Sequence, residues 1–230
     1  MREVVTERFK EFISSQANSV GNVAVIGGNS EDPEVATLTC LFPEVEFHYF
    51  NITNSCNDAN FHALDLNESN PQFIKNMQFD LVISSQVLEH IWNHDNYFKI
   101  VVEITKPTGL IWLNCPKSNM VHGSPDYFSA GFTASYLSRN LEHHGCEILL
   151  AAEVGNRRYY LGIHLGRYWQ TREENRHPLW KYKFAPGSFL GVLKKFVRNF
   201  PSRVLLSLVR LEDPSNNDFA TESMVGARKK

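Results

Sequence analysis

Hydrophobic and polar positions along the chain alternate between helical and extended spacing. Val4, Val5, Phe9, Phe12 and Ile13 recur near a helical period with charged residues between them, which predicts an amphipathic opening helix over 3–17. NVAVIGG (22–28) is a short β-rich run ending in glycines, and residues 33–42 open a helix with Pro33 at its first position behind Asp32 as cap. Residues 45–52, 61–66 and 79–85 read as strands, the last an apolar run of the kind found in a sheet covered on both faces. A helix over 93–105 comes next, then a fifth strand over 109–116, introduced by the turn residues Lys106, Pro107, Thr108 and Gly109. Residues 132–145 predict a helix stopped by Gly145, and 146–154 and 159–166 predict two further strands with no helix between them, hence a closing antiparallel hairpin.

Strands separated by helices predict an α/β fold: a seven-stranded, mostly parallel sheet with one antiparallel strand and helices on both faces. Residues 1–166 make up this domain. Residues 167–211 read as a C-terminal extension of aromatic and amphipathic helical character, and the polar residues 212–230, ending in Arg228, Lys229 and Lys230, as a disordered tail. In the extension, residues 188–200 set Lys194, Lys195 and Arg198 opposite a broad apolar face. That face suits an anionic membrane surface or a partner groove, but packing on its own domain or on a second subunit of a homodimer is the favoured reading. The aromatic stretch from Tyr168 to Phe184 could stack on sugar rings or fill a core.

Charge narrows the partners. With 23 Lys+Arg against 25 Asp+Glu the chain has no general attraction to phosphate backbones, so nucleic acid is not an expected partner. A chain of 230 residues that is 43% hydrophobic can bury a core without staples. Cys40, Cys56, Cys115 and Cys146 form no zinc-like cluster and read as reduced, mostly buried thiols. The opening residues are charged and lack a signal-type apolar region, and no apolar run nears the ~18 residues of a membrane span. A cytoplasmic setting is the expectation.

Ligands of such sheets bind beyond the carboxyl ends of the strands. The first junction there holds Gly27, Gly28 and Asn29, where glycines let a ligand approach the backbone or merely form a tight turn. The second strand ends at Asn51, where nucleotide-binding sheets often carry an acid against ribose hydroxyls. The third leads into Asp65 and Leu66, with Asp65 positioned to meet a base edge or to serve as a helix cap.

The segment FDLVISSQVLEHIW is the most informative. Phe79-Asp80-Leu81-Val82 and Val87-Leu88-Glu89-His90 resemble the fourth-strand region of the class I S-adenosylmethionine-dependent methyltransferases, and KPTGLIWLNCP resembles their fifth strand. The resemblance covers roughly residues 20–165 and implies a Rossmann-like sheet with S-adenosyl-L-methionine as cofactor. It implies that Ser84, Ser85 and Gln86 lie along the adenosine. It also marks departures: where that family has an acid and then a G-x-G-x-G loop, this chain has Val25, Gly27, Asn29 and Glu31. In the similar ubiquinone-type O-methyltransferases an ExxEH signature holds a metal; Gln86 replaces one of its carboxylates, so no metal is expected.

The long connection after the fifth strand resembles the HG.P.DYfrfT segment of methyltransferases that accompany polysaccharide and lipopolysaccharide biosynthesis, through His122, Gly123, Pro125, Asp126, Tyr127, Phe128 and Thr133. Asn114, Pro116, His122, Asp126 and Tyr127 are the acceptor-binding candidates. A neutral imidazole suits proton removal from an acceptor hydroxyl, which singles out His122 and His90, with Glu89 beside it; a helix cap and a satisfied buried imidazole are the plainer roles for Glu89 and His90. The expectation is direct transfer of a methyl group to an oxygen of a small molecule or glycan. The rival is a non-catalytic binding or assembly module with a degenerate cofactor loop.

Overall fold

A computed structural model describes residues 2–54, 56–68, 74, 76–119, 125–155, 160 and 220–230. Its chain divides into one unit of Met1–Val154 with Glu222–Lys230 and a second of Gly155–Thr221. In chain order the first unit holds α1 (Arg2–Gln16), β1 (Asn22–Ile26), α2 (Pro33–Leu41), β2 (Glu46–Asn51), β3 (Phe61–Ala63), β4 (Phe79–Ser85), α3 (His94–Glu103), β5 (Thr105–Pro116), α4 (Ala134–His143), β6 (Cys146–Val154) and β7 (Glu222–Lys229). The seven strands form one sheet in the order β3-β2-β1-β4-β5-β7-β6. Strands β1 to β5 pair in parallel, and β7 runs antiparallel to both β5 and β6.

Strand alternation sorts the core into two layers. Val23, Val25, Leu81, Ile83, Leu110 and Trp112 face α1 and α2 through Phe9, Phe12, Ile13, Val35 and Leu38. Ala24, Ile26, Val82, Ile111 and Leu113 face the opposite layer, packed with Tyr97, Phe98 and Val101 of α3 and Leu137 and Leu141 of α4. Trp112 is fully buried, with the rings of Phe9 and Phe12 centred 5.3 and 5.5 Å away. The expected hydrophobic face of α1 is thus the lid of one layer.

The antiparallel strand is not where the hydrophobic pattern put it. Residues 159–166 lie almost wholly outside the described residues, and Tyr160, the one described, is helical. The closing strand comes instead from Glu222–Lys229, inside the stretch read as a disordered tail, and the sheet unit ends at Val154 rather than at 166. Small residues and terminal charges hid it. Gly226 and Ala227 have little β-propensity but fit an interior strand with helices on both faces, and the charges find partners: Lys229 Nζ donates to the carbonyl of Thr105 at 2.7 Å, and Arg228 to Gln16 Oε1 at 3.0 Å. The helix expected over 188–200 and the aromatic stretch before it lie outside the described residues. Among the described residues no helix is long and apolar enough to cross a membrane. Of the four free cysteines, Cys115 and Cys146 are buried, but Cys40 is exposed and Cys56 half-buried, so the expectation of mostly buried thiols holds for two.

Asp80 of the FDLV motif is structural. Its carboxylate accepts from the backbone amides of Gly21 at 3.0 Å and Asn22 at 2.9 Å and from Lys106 Nζ at 2.6 Å, fixing the entry to β1 against β4 and β5. Burial pushes its carboxyl up, but these hydrogen bonds and the lysine charge outweigh that and hold it below the usual carboxylate range. Its contribution to stability is therefore present above the ordinary carboxylate pKa of about 3.9 and is lost as pH falls through the lower folded value. Asp80→Ala should cost about 2 kcal/mol in urea melts at pH 7, because two amides and an ammonium lose a charged acceptor; an unchanged midpoint would remove this role.

Candidate active site

The carboxyl ends of β1, β2, β4 and β5, with the amino end of β7, lie along one edge of the sheet, where ligands of such sheets bind. In the ladder Ile26 stands opposite Ser84, which sets Gly27 level with Ser85. Gly27 has φ +70°, and a Cβ there would run into the side chain of Val87. Glycine at 27 thus meets both a left-handed backbone and a close approach. Asn51 is tied to this turn: its Nδ2 donates to the carbonyl of Gly27 at 3.2 Å, and its Oδ1 accepts from the amide of Ile52.

The rest of the glycine junction closes on itself. Asp32 Oδ2 accepts from the amide of Asn29 at 2.9 Å and occupies the space a Cβ on Gly28 would need. Asn29 Oδ1 accepts from the amide of Glu31 at 2.8 Å. Asp32, expected as the cap of α2, makes no side-chain cap to the helix and faces back into the loop instead. With two of its amides, those of Asn29 and Glu31, engaged by its own carboxylate and carboxamide, the junction is a poorer cradle for a pyrophosphate than an open glycine loop. Asp65 Oδ1 accepts from the amide of Asn67 at 2.9 Å, a local turn contact, and Leu66 is buried in the core.

Gln86 is the joint of the site. It adopts φ +60°, a conformation rare for a residue with a side chain, and three hydrogen bonds hold it there. Its amide donates to the carbonyl of Asn114 at 2.8 Å, and its Nε2 to Asn114 Oδ1 at 2.9 Å and to Glu222 Oε2 at 2.8 Å. Asn114, 5% exposed, in turn donates to the carbonyl of Ser223 at 3.2 Å. Pro116 is the cross-strand partner of Glu222. Asn114 and Pro116, expected to meet an acceptor, thus act first as the connection between β5 and β7.

Beyond Gln86 the Val-Leu-Glu-His segment forms a single 3-10 turn, Leu88–His90. The Glu89 side chain is 1% exposed, and its Oε1 lies 4.0 Å from His90 Nε2. The backbone carbonyl of Glu89 accepts from the amide of Phe128, pinning the segment after β5 over the turn. His90 Nδ1 faces the carbonyl of Asp126, and a carbonyl can only accept, so Nδ1 carries the proton. That leaves Nε2 as the nitrogen able to accept a proton whenever the ring is neutral. The ring packs edge-on against Tyr127, whose hydroxyl donates to the carbonyl of Asn119 at 3.3 Å. Asp126 therefore contributes its backbone, and its side chain is exposed. His122 lies outside the described residues.

Two carboxylates at this edge were missed in the sequence. Glu34, 5% exposed in the first turn of α2, accepts from Ser85 Oγ at 3.0 Å. An acid just behind Pro33 at a helix start was its visible signal. Glu222 gave none, because some 70 residues part it from the rest of the sheet. Burial is the largest influence on it and, with the charge of Glu89, pushes its carboxyl from 4.5 to about 7 against the hydrogen bonds from Gln86 and Asn114. Ser84, by contrast, is buried and faces the Tyr97 hydroxyl in the core. Among the described residues no three His, Cys, Asp or Glu side chains converge to hold a metal ion.

By sequence, neither a family model nor a characterised protein matches the chain. Solved structures do match in fold. A SAM-dependent methyltransferase from Archaeoglobus fulgidus aligns with 100% of this chain and 95% of its own at 15% identity, with a TM-score of 0.55. The O-methyltransferase of a trans-AT polyketide synthase multienzyme of Brevibacillus brevis, solved with S-adenosyl-L-homocysteine, aligns with 97% of this chain and 71% of its own at 16% identity and a TM-score of 0.54. The fold is that of the class I methyltransferases. The [4+2]-cyclase SpnF also aligns, over 99% of this chain and 81% of its own at 12% identity and a TM-score of 0.57. A class I methyltransferase fold at such identities does not by itself fix the reaction, and the chemistry has to be read from the residues of the cleft edge.

Proposed function

We propose that this chain is an S-adenosylmethionine-dependent methyltransferase acting on an oxygen of a small-molecule or glycan acceptor. The observation that carries the reading is the glycine junction: its own side chains engage the amides of Asn29 and Glu31, and the buried carboxylate of Glu34 flanks it. That combination suits a cationic ligand and disfavours a dinucleotide. Gly27, the Asn51 amide at the end of β2 and the Ser85–Gln86 edge would hold the cofactor, with Asp65 toward the base. When bound, S-adenosylmethionine supplies a methyl group on a sulfonium, open to direct displacement by an oxygen nucleophile.

His90 and Glu89 then handle the proton. His90, oriented by the Asp126 carbonyl, takes the acceptor's hydroxyl proton on Nε2, and Glu89 stabilises the imidazolium across 4.0 Å. Gln86 keeps the β4, β5 and β7 ends in register, and the segment pinned by Phe128 covers the acceptor. Trp92 at 61% and Phe128 at 49% exposure stand on the loops beside this turn and offer ring faces to a sugar or other cyclic acceptor.

Calorimetric titration with S-adenosylmethionine and S-adenosylhomocysteine tests the reading. Micromolar affinity, roughly −8 kcal/mol, is the expected result. No heat with either ligand at millimolar concentration would overturn it in favour of a binding or assembly module.

A further inference from the structure

The altered glycine junction leaves a question of charge. The residue two positions before Gly27 is Val25, a core residue of β1, so no acid reaches the cleft from that strand. Three acids come after the junction. Glu31 is exposed, and Asp32 is turned back onto the amide of Asn29. Only Glu34 is directed into the sheet edge: it is 5% exposed and bonded to Ser85, the residue level with Gly27 across the β1–β4 ladder.

A carboxylate is costly to bury without compensation, yet this one sits in the first turn of α2, where the helix end stabilises negative charge, and accepts a hydroxyl hydrogen bond. Through Ser85 it is held on the β4 side of Gly27, and Asn51 lies on the β2 side. Resting on the cofactor reading above, we propose that Glu34 receives the α-ammonium group of the cofactor's methionine moiety, so that the charge absent from β1 is delivered from α2. Glu34 is then a binding residue specific to this chain's version of the loop.

The test compares ligands that share the adenosine and the thioether sulfur. S-adenosylhomocysteine carries the ammonium; its desamino analogue lacks only that group, and 5′-methylthioadenosine lacks the whole amino-acid end. With the full-length wild-type chain, the desamino analogue should bind at least tenfold more weakly than S-adenosylhomocysteine. In Glu34→Gln, affinity for S-adenosylhomocysteine should fall at least tenfold while affinity for 5′-methylthioadenosine stays within twofold. The wild-type comparison needs no variant and decides the matter if Glu34→Gln fails to fold. Equal binding of the desamino analogue, or a parallel loss of both ligands in the variant, would overturn the assignment while leaving the cofactor reading intact. Absence of binding by all three to the wild-type chain would overturn both.

Discussion

Glu222→Gln should flatten the pH dependence of stability between about pH 4.5 and 7. In the folded chain burial and the charge of Glu89 raise the Glu222 carboxyl from 4.5 to about 7, so the folded state holds a proton there that the unfolded state has released. A carboxyl shifted upward contributes stability that is complete below its unfolded value and is lost as pH rises through the folded one. At roughly 1.4 kcal/mol per unit, the loss between pH 4.5 and 8 comes to roughly 3 kcal/mol for this one group. The glutamine variant keeps a carbonyl oxygen able to accept from Gln86 Nε2 but has no proton to lose. Urea melts of the two proteins should therefore agree near pH 4.5 and diverge by pH 8, with the variant the more stable. Parallel curves would mean that Glu222 is hydrated enough to titrate normally.

Most of the parallel half of the sheet was legible in the sequence because each element carried its own signal. Pro33 behind Asp32 marked the start of α2, the FDLVISS run marked β4, and Gly145, with φ +88°, ended α4 where the pattern placed the stop. The site was legible as an edge but not as a set of contacts. Gln86 is visible in the sequence as an amide in place of a metal-binding carboxylate; its left-handed backbone and its bond to Glu222 depend on a strand more than 130 residues away, which no local pattern encodes. Asn29 and Asp32 were visible as polar loop residues, but whether they faced a ligand or each other is decided by the turn itself. Leu66 went the other way: expected beside Asp65 as a cofactor contact, it turns its side chain into the core.

The β7 misreading has a physical cause with a measurable consequence. Sequence periodicity weighs side-chain hydrophobicity, whereas an interior strand squeezed between helices can be selected for smallness. Gly226 lies under the ring of Phe12 from α1, and a Cβ at 226 would overlap that ring. Phe12 cannot simply withdraw, because it is 3% exposed and packs on Trp112. Gly226→Ala should therefore destabilise the chain by about 2 kcal/mol through overpacking, although alanine suits a strand better than glycine. Phe12→Ala alone should cost about 4 kcal/mol by leaving a cavity beside Trp112. In the double variant the two losses should not add, since the new methyl enters space the ring has left, and the coupling should reach about 2 kcal/mol. Strict additivity in a thermal or urea cycle would show that α1 does not rest on β7 at this point, and the small-residue explanation of the strand would fall with it.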